Sequence, residues 1–284
     1  MKTASLTPYT LSVVRDKETD VPNIGKLDNV DEPGTYLCRQ CGLALFRSQA
    51  KFNAQCGWPS FDEELLGAVS RAPDSDGRRT EILCARCMAH LGHVFLGEGY
   101  TKKDTRHCVN STSLDFTTDQ TVVDTREGIF AGGCFWGVEH LFKQLKGVVL
   151  TESGYTGGHT SHPSYEEVCR GHTGHVEAVR VVYDTSRLNF ATIAKYFFEI
   201  HDPTQTNGQG PDIGEQYKSV AFYYDREQEN TLAALINTLK THGYDVATSL
   251  RPVSTFWPAE GYHQRYYDRT RTAPYCHAYV KRFS

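Results

Sequence analysis

Hydrophobic positions change their rhythm about half-way along the chain. Up to residue 116 they come in short runs broken by turn-forming residues: Gly34-Thr35-Tyr36-Leu37, Cys56-Gly57-Trp58-Pro59, Leu91-Gly92-His93-Val94-Phe95 and residues 106–116. Such runs read as strands and turns, so the first half is expected to be mainly β, with two antiparallel sheets. Further on, Val138, Leu141, Phe142 and Leu145 recur at helical spacing, as do Leu232, Leu235, Ile236 and Leu239. A third helix is expected over 189–200, with strands over 176–183 and 219–224, where β-branched and aromatic residues concentrate. The second half is therefore α/β, an α+β sandwich. Residues 117–126 (TTDQTVVDTR) are polar and lack an apolar period. They suggest a domain over 1–117, a linker over 118–126 and a second domain over 127–284.

Length and composition fit that division. The chain has 284 residues, about twice a usual domain, and its 39% hydrophobic content suffices for a core in each half. A net charge of -4 with both signs interspersed gives no attraction for nucleic acid or an anionic membrane, which favours a small or peptide-like partner. Residues 1–10 lack the apolar stretch of a signal peptide, and no apolar run approaches a bilayer span, so a soluble, cytoplasmic protein is expected. Nine cysteines in that compartment point to metal binding or redox chemistry rather than to a disulfide framework.

Spacing separates the cysteines by task. Cys38-Arg39-Gln40-Cys41 and Cys84-Ala85-Arg86-Cys87 form two CxxC pairs within one half. Four thiolates supplied this way close a tetrahedron around zinc and leave no open position, the arrangement of a structural site. The stretch between the pairs is longer than a simple zinc-ribbon loop, so the metal is expected to clip two hairpins. Two redox-active CxxC motifs are the competing reading, but the flanking βαβ pattern of a thioredoxin-like site is missing.

Strand alternation in Thr105-Arg106-His107-Cys108-Val109-Asn110 puts Arg106, Cys108 and Asn110 on one face and His107 on the other. A guanidinium beside a cysteine favours the thiolate. The residues alone leave this open against an inert buried cysteine beside a surface ion pair. In the second half Ala131-Gly132-Gly133-Cys134-Phe135-Trp136-Gly137 precedes the first apolar stripe, which puts Cys134 at a helix N-terminus, where unpaired amides favour a thiolate. Phe135 and Trp136 are poor choices for a plain strand-to-helix turn unless they line something.

Cys-Gly-Trp-Pro-Ser-Phe at 56–61, His-Leu-Gly-His-Val-Phe at 90–95 and Arg-His-Cys-Val-Asn-Ser at 106–111 resemble B-type methionine sulfoxide reductases over roughly residues 5–116. The resemblance implies Cys108 as nucleophile, helped by Arg106 and Asn110. It implies Cys56 as resolving cysteine, Trp58 against the substrate methyl, and His90 and His93 serving the sulfoxide oxygen and its protonation. One departure stands out: after His-Val-Phe the family carries an acidic residue at the second position, where this chain has Gly97, followed by Glu98. Either Glu98 substitutes from a shifted loop or this domain is slower.

Gly-Cys-Phe-Trp-Gly at 133–137, Gly-Tyr-Thr-Gly-Gly at 154–158, Gly-His-Thr-Gly-His-Val-Glu at 171–177 and Gln216-Tyr217 with upstream Asp212 resemble A-type methionine sulfoxide reductases from about 128 onward. By that resemblance Cys134 is the nucleophile and Glu177 the proton donor. Tyr165 and Tyr217 bind the sulfoxide oxygen, Phe135 and Trp136 hold the methyl, and Asp212 supports the site. Cys276, in a C-terminal stretch without periodicity, is read as a resolving cysteine on a mobile tail; Cys169 is read as a small buried structural residue.

The two resemblances together imply an oxidoreductase that reduces both sulfoxide epimers, R in the B-type half and S in the A-type half. Each cysteine would pass through a sulfenic acid and a disulfide, with thioredoxin as reductant and oxidised proteins and free methionine sulfoxide as substrates. Two alternatives remain: a zinc-bearing module that binds oxidised peptides, fused to one working reductase, and a general thiol oxidoreductase indifferent to sulfoxides.

Overall fold

The computed structural model describes residues 2–283, which divide into two compact units after Thr125. Helix α1 (Pro8–Val14) opens the first, capped by the Thr7 hydroxyl, which accepts from the Thr10 amide at 3.1 Å. Short strands follow: β1 (Thr35–Cys38), β2 (Ala44–Arg47), β3 (Lys51–Phe52), β4 (Ser60–Phe61), β5 (Val69–Pro73), β6 (Thr80–Cys84), β7 (His90–Leu96), β8 (Thr105–Val109) and β9 (Leu114–Thr117). They form two antiparallel sheets, in the orders β2-β1-β9 and β3-β4-β8-β7-β6-β5. Tyr36, Phe46 and Phe61, all fully buried, pack on one another, with ring centroids 4.4 Å apart for the stacked Phe46–Phe61 pair. Burying each such ring contributes about 2–3 kcal/mol.

Residues 118–125 are fastened along the first unit rather than hanging free. The Thr35 hydroxyl donates to the Asp119 carbonyl at 2.7 Å, the Ala44 amide to the Val123 carbonyl at 3.2 Å, and the Thr125 hydroxyl to the Gly42 carbonyl at 2.9 Å.

The second unit alternates strands and helices: β10 (Thr125–Gly132), α2 (Phe135–Gln144), β11 (Val148–Thr156), α3 (Tyr165–Arg170), β12 (Val176–Asp184) and α4 (Phe190–Ile200). A small hairpin, β13 (Gly208–Gln209) and β14 (Asp212–Ile213), precedes β15 (Ser219–Tyr223), α5 (Arg226–Thr241), β16 (Ser249–Pro252), β17 (Trp257–Pro258) and α6 (Tyr266–Thr270). Six strands make one mixed sheet, β16-β15-β10-β12-β11-β17, in which β15 and β16 run parallel. Every residue of β12 is buried, as a central strand covered on both faces requires. On one side Phe130 of β10 stacks with Phe142 of α2 and Phe197 of α4, centroids 5.4 and 4.9 Å away. Ile129, Ala131, Val220, Phe222 and Phe256 form a second cluster.

Candidate active sites and metal centre

In the first unit the two CxxC pairs meet at the ends of two hairpins. Cys38 ends β1 and Cys41 lies in the turn to β2; Cys84 ends β6 and Cys87 lies in the turn to β7. The Cys38 and Cys87 sulfurs are 3.7 Å apart, those of Cys41 and Cys84 3.5 Å, and all four lie within 4.8 Å of one another. Four sulfurs at about 2.3 Å from a tetrahedral metal stand about 3.8 Å apart, so the cluster fits such an ion.

Cys108 lies on β8, flanked by β4 and β7, directly opposite Ser60 on one side and His93 on the other. Gly92, beside His93, has φ +148°, and a Cβ there would meet the Cys108 carbonyl oxygen at 2.1 Å. Glycine in this motif therefore lets β7 approach the cysteine. The Cys56 and Cys108 sulfurs are 4.0 Å apart, and the Arg106 guanidinium donates to Cys56 Sγ at 3.6 Å. The hydrogen bond from Cys108, helped by Ser60 and Arg106, pulls the half-buried Cys56 thiol down to about 5. Donating to Cys56 and burial push Cys108 up. Arg106 thus stands beside both sulfurs of the pair and favours a thiolate there.

Glu98 grips Arg106 with two hydrogen bonds, 2.7 and 2.9 Å, so the displaced carboxylate does reach the guanidinium. That pair holds Glu98 below the usual carboxylate range. The His90 Nδ1–H donates to Glu81 at 2.7 Å and the His93 Nε2–H to Asp74 at 2.5 Å, which draws Asp74 down to about 2. Burial pushes His90 below its ordinary value against the pull of Glu81, and its Nε2 has no hydrogen-bond partner among the described residues. The Trp58 Nε1–H donates to the Asp20 carbonyl at 3.0 Å. A polar cavity of about 250 Å³ opens beside Cys56 and Trp58, lined also by Asn23, Asp28 and Asn53.

Asn110 follows the end of β8 with an extended backbone and caps a 3-10 turn. Its side chain is buried and accepts from the Asp20 amide at 3.0 Å, bracing the residue that holds Trp58. His107 is fully buried on the opposite face, as alternation requires, near Phe46 and Phe61.

In the second unit Cys134 is the N-cap of α2, following β10 through Gly133 at φ +98°. Its thiol is nevertheless pushed up, because Cys276, burial and Asp212 outweigh the Trp136 amide that favours a thiolate. Glu177, on β12, is 1% exposed and accepts from the Phe135 amide at 3.1 Å. Burial, with Cys134 and Asp212 nearby, raises it well above the usual range, which favours its protonated form. Tyr165, at the start of α3, and Tyr217 are held as phenols chiefly by burial. Asp212 accepts from the Tyr275 hydroxyl at 3.0 Å and lies with the Cys134 and Cys276 sulfurs inside 4.8 Å.

Trp136 is fixed on two sides: its Nε1–H donates to His263 Nδ1 at 3.0 Å and its ring stacks on Tyr266 at 3.8 Å. Glu260 accepts from the Tyr165 amide and the Tyr155 hydroxyl, both at 2.9 Å. Neither Glu260 nor His263 announces itself locally. Their one signal is charge and imidazole in a chain segment, 260–263, that has no helical or strand period.

Two expectations about cysteines need correction. Cys169 is exposed rather than buried: it lies on the short α3, whose single buried residue is Val168, and hydrogen-bonds Tyr165. Nor does Cys276 swing on a loose tail. The Val280 amide donates to the Glu199 carbonyl at 2.7 Å, and the Tyr279 hydroxyl to the Glu199 carboxylate at 3.1 Å, which fastens the segment with the Cys276 sulfur already beside Cys134.

A profile of the peptide methionine sulfoxide reductase family matches residues 126–284. The chain belongs to that family. Residues 6–118 match the SelR domain, so this reductase fuses a B-type to an A-type domain and is an oxidoreductase acting on both epimers of methionine sulfoxide. It is 46% identical over 151 residues to the peptide methionine sulfoxide reductase MsrA of Acinetobacter baumannii (strain AYE), covering 53% of this chain and 87% of that protein. With the corresponding protein of Thermus thermophilus it shares 49% over 147 residues, 51% of this chain and 84% of the relative. Among solved structures, reduced Mxr1 from Saccharomyces cerevisiae is similar, with a TM-score of 0.52 and 33% identity over 55% of this chain and 92% of that one. No helix among the described residues is long and apolar enough to cross a membrane.

Proposed function

We propose that residues 1–117 reduce the R epimer and residues 127–284 the S epimer of methionine sulfoxide, free or in oxidised proteins, with 118–126 joining them. One observation, repeated in each unit, carries this reading: two cysteines far apart in sequence have neighbouring sulfurs, next to groups suited to handle a proton.

At the S site Cys134 attacks the sulfoxide sulfur while Glu177 delivers its proton to the oxygen, and the Cys134 proton replaces the one delivered. Tyr165 and Tyr217 hydrogen-bond that oxygen, Phe135 and Trp136 enclose the methyl, and Asp212 supports the cysteines. Thiol and sulfoxide become sulfenic acid and sulfide, so this step needs no outside electrons. Cys276 then condenses with the sulfenic acid, releasing water and leaving a disulfide that thioredoxin reduces.

At the R site Cys108 is the nucleophile and Cys56 resolves it. Arg106, beside both sulfurs, favours the attacking thiolate, and the proton the thiol sheds ends on the sulfoxide oxygen. Asn110, through Asp20, holds Trp58 for the methyl, and His90 and His93 serve the oxygen and its protonation. Zinc, bound by Cys38, Cys41, Cys84 and Cys87, is a structural tie between hairpins β1–β2 and β6–β7; strand β7 carries both histidines.

The test is thioredoxin-coupled turnover of separated R and S methionine sulfoxide in a peptide, by wild type, Cys108→Ser and Cys134→Ser. Loss of R turnover alone in the first variant and S turnover alone in the second is expected. Retained R turnover without Cys108 overturns the reading of the first unit.

A further inference from the structure

Next to the resolving cysteine lies a histidine that the mechanism above does not use. His277 is buried, with Nε2 at 2.7 Å from the Gly132 carbonyl oxygen. A carbonyl only accepts, so Nε2 carries the hydrogen and Nδ1 of the neutral ring keeps its lone pair. That Nδ1 stands 3.0 Å from Cys276 Sγ, in position to accept the thiol proton.

The ring's place is built into the start of α2. A Cβ on Gly137 would lie 2.2 Å from His277 Nδ1 and 2.8 Å from its Cγ. Gly137 has an ordinary helical backbone, and glycine weakens a helix, so its own conformation gives no reason for it there. Space for the imidazole does. Two glycines of the Gly132-to-Gly137 turn thus serve His277: Gly132 fixes its tautomer and Gly137 makes its room.

Burial also holds the imidazole below its ordinary value, which favours the neutral ring that the Gly132 contact calls for. The titratable groups facing it are Cys276 and Tyr275 on its own segment, Asp212 on β14, His201 after α4, and Cys134 at the start of α2.

We propose that His277 is a catalytic residue of the resolving step, the general base that takes the proton of Cys276 as that sulfur attacks the Cys134 sulfenic acid. This rests on the reading of Cys134 as nucleophile and Cys276 as its resolving partner. The Cys276 sulfur forms a bond to the Cys134 sulfur, the Cys134 S–O bond breaks with its electron pair going to oxygen, and the proton held on Nδ1 completes the departing water. The products are one disulfide and one water, and the imidazole is neutral again.

The experiment uses the full chain, reduced and then freed of reductant, mixed with the S-epimer peptide. His277→Gln is the informative variant, because a glutamine amide can still donate to the Gly132 carbonyl but offers no base to Cys276. Methionine should appear at the wild-type rate, while the Cys134–Cys276 disulfide forms about 10²-fold more slowly. A sulfenic acid should accumulate on Cys134, captured by a 1,3-diketone and located by mass. Disulfide formation should rise more steeply with pH in the variant than in the wild type, because no imidazole then takes the thiol proton. A variant that forms the disulfide at the wild-type rate with the wild-type pH profile overturns the proposal. So does one that loses the methionine burst as well, since the role is then not confined to resolution. Cys276→Ser, run alongside, tests the underlying reading: continued full turnover with thioredoxin shows that Cys276 is not the resolving cysteine, whatever His277 does.

Discussion

The first unit is built from strands of two to seven residues around a few aromatic rings, whereas the second wraps long helices on a six-stranded sheet whose central strand is wholly buried. The difference shows in how each holds its polar groups. At the second site Glu177 is raised well above the usual carboxylate range, by burial first and then by Cys134 and Asp212. In the first, carboxylates hold the other groups of the site. Glu81 holds His90, Asp74 holds His93, Glu98 holds Arg106, and four sulfurs gather at the ends of two hairpins. The contrast is one of sites rather than of cores, since the second unit also buries an ion pair, Arg180 with Glu127 at 2.6 Å.

Removing the metal should strain that contrast most. A chelator, or Cys41→Ser, is expected to abolish R turnover and the melting transition of the first unit, while S turnover changes by less than about twofold. Metal analysis, calorimetry and epimer-resolved assays check it together. Equal survival of both activities would mean that the sulfur cluster holds nothing up.

Next in size is Glu177→Gln. It removes the neutral acid without changing shape, and S turnover should fall about 10²- to 10⁴-fold with R turnover untouched. The wild-type S activity should also decline at high pH, as the pH rises through the raised value of Glu177 and the acid is lost. A fall of under tenfold would show that some other group supplies the proton.

Smaller effects are expected from Asp74→Asn and Glu81→Gln. Each removes the carboxylate that orients an imidazole, so R turnover should drop about tenfold in each. The initial-rate ratio of R to S in a mixed substrate reads this directly. No change in that ratio would mean that these hydrogen bonds are structural ornament and the comparison fails for the first unit.

What could be read from the sequence was what is local. The helices α2, α4 and α5 declare themselves because one apolar face meets the core every 3.6 residues, and Cys134 is an N-cap because its own neighbours make it one. The paired CxxC spacing likewise needs no fold to be seen. Partners contributed from far away were invisible. Nothing near Trp58 points to Asp20, and nothing near Tyr165 points to Glu260, 95 residues on. Cys169 misled because a free cysteine was assumed to be a small buried residue, although its neighbours Glu166, Glu167 and Arg170 mark an exposed turn of helix. Cys276 misled for a related reason: absence of periodicity was taken for mobility, whereas Glu199 pins an irregular tail without any regular structure.

The subtlest expectation separates burial as a device for chemistry from burial as a cost. Glu139 on α2 is as deeply buried as Glu177, and desolvation raises it to about 7 even though the Arg265 amide donates to it at 2.8 Å and the Thr151 hydroxyl at 3.3 Å. A carboxyl whose folded value lies above its unfolded one binds its proton more tightly in the native state. Its contribution to stability is therefore complete below about pH 4 and is lost as the pH rises toward and through about 7. The shift of the folded value from an unfolded one near 4.5 corresponds to about 3 kcal/mol at most. Glu139→Gln keeps the volume and an oxygen to accept from Arg265, but cannot ionise. The variant should match wild type at pH 5 and melt several degrees higher at pH 8.5, about 2–4 °C per kcal/mol recovered. A variant that is equally or less stable at pH 8.5 would show that the Glu139 carboxylate is matched by its donors, and that deep burial in this unit does not by itself hold a carboxyl neutral, which would weaken the same argument for Glu177.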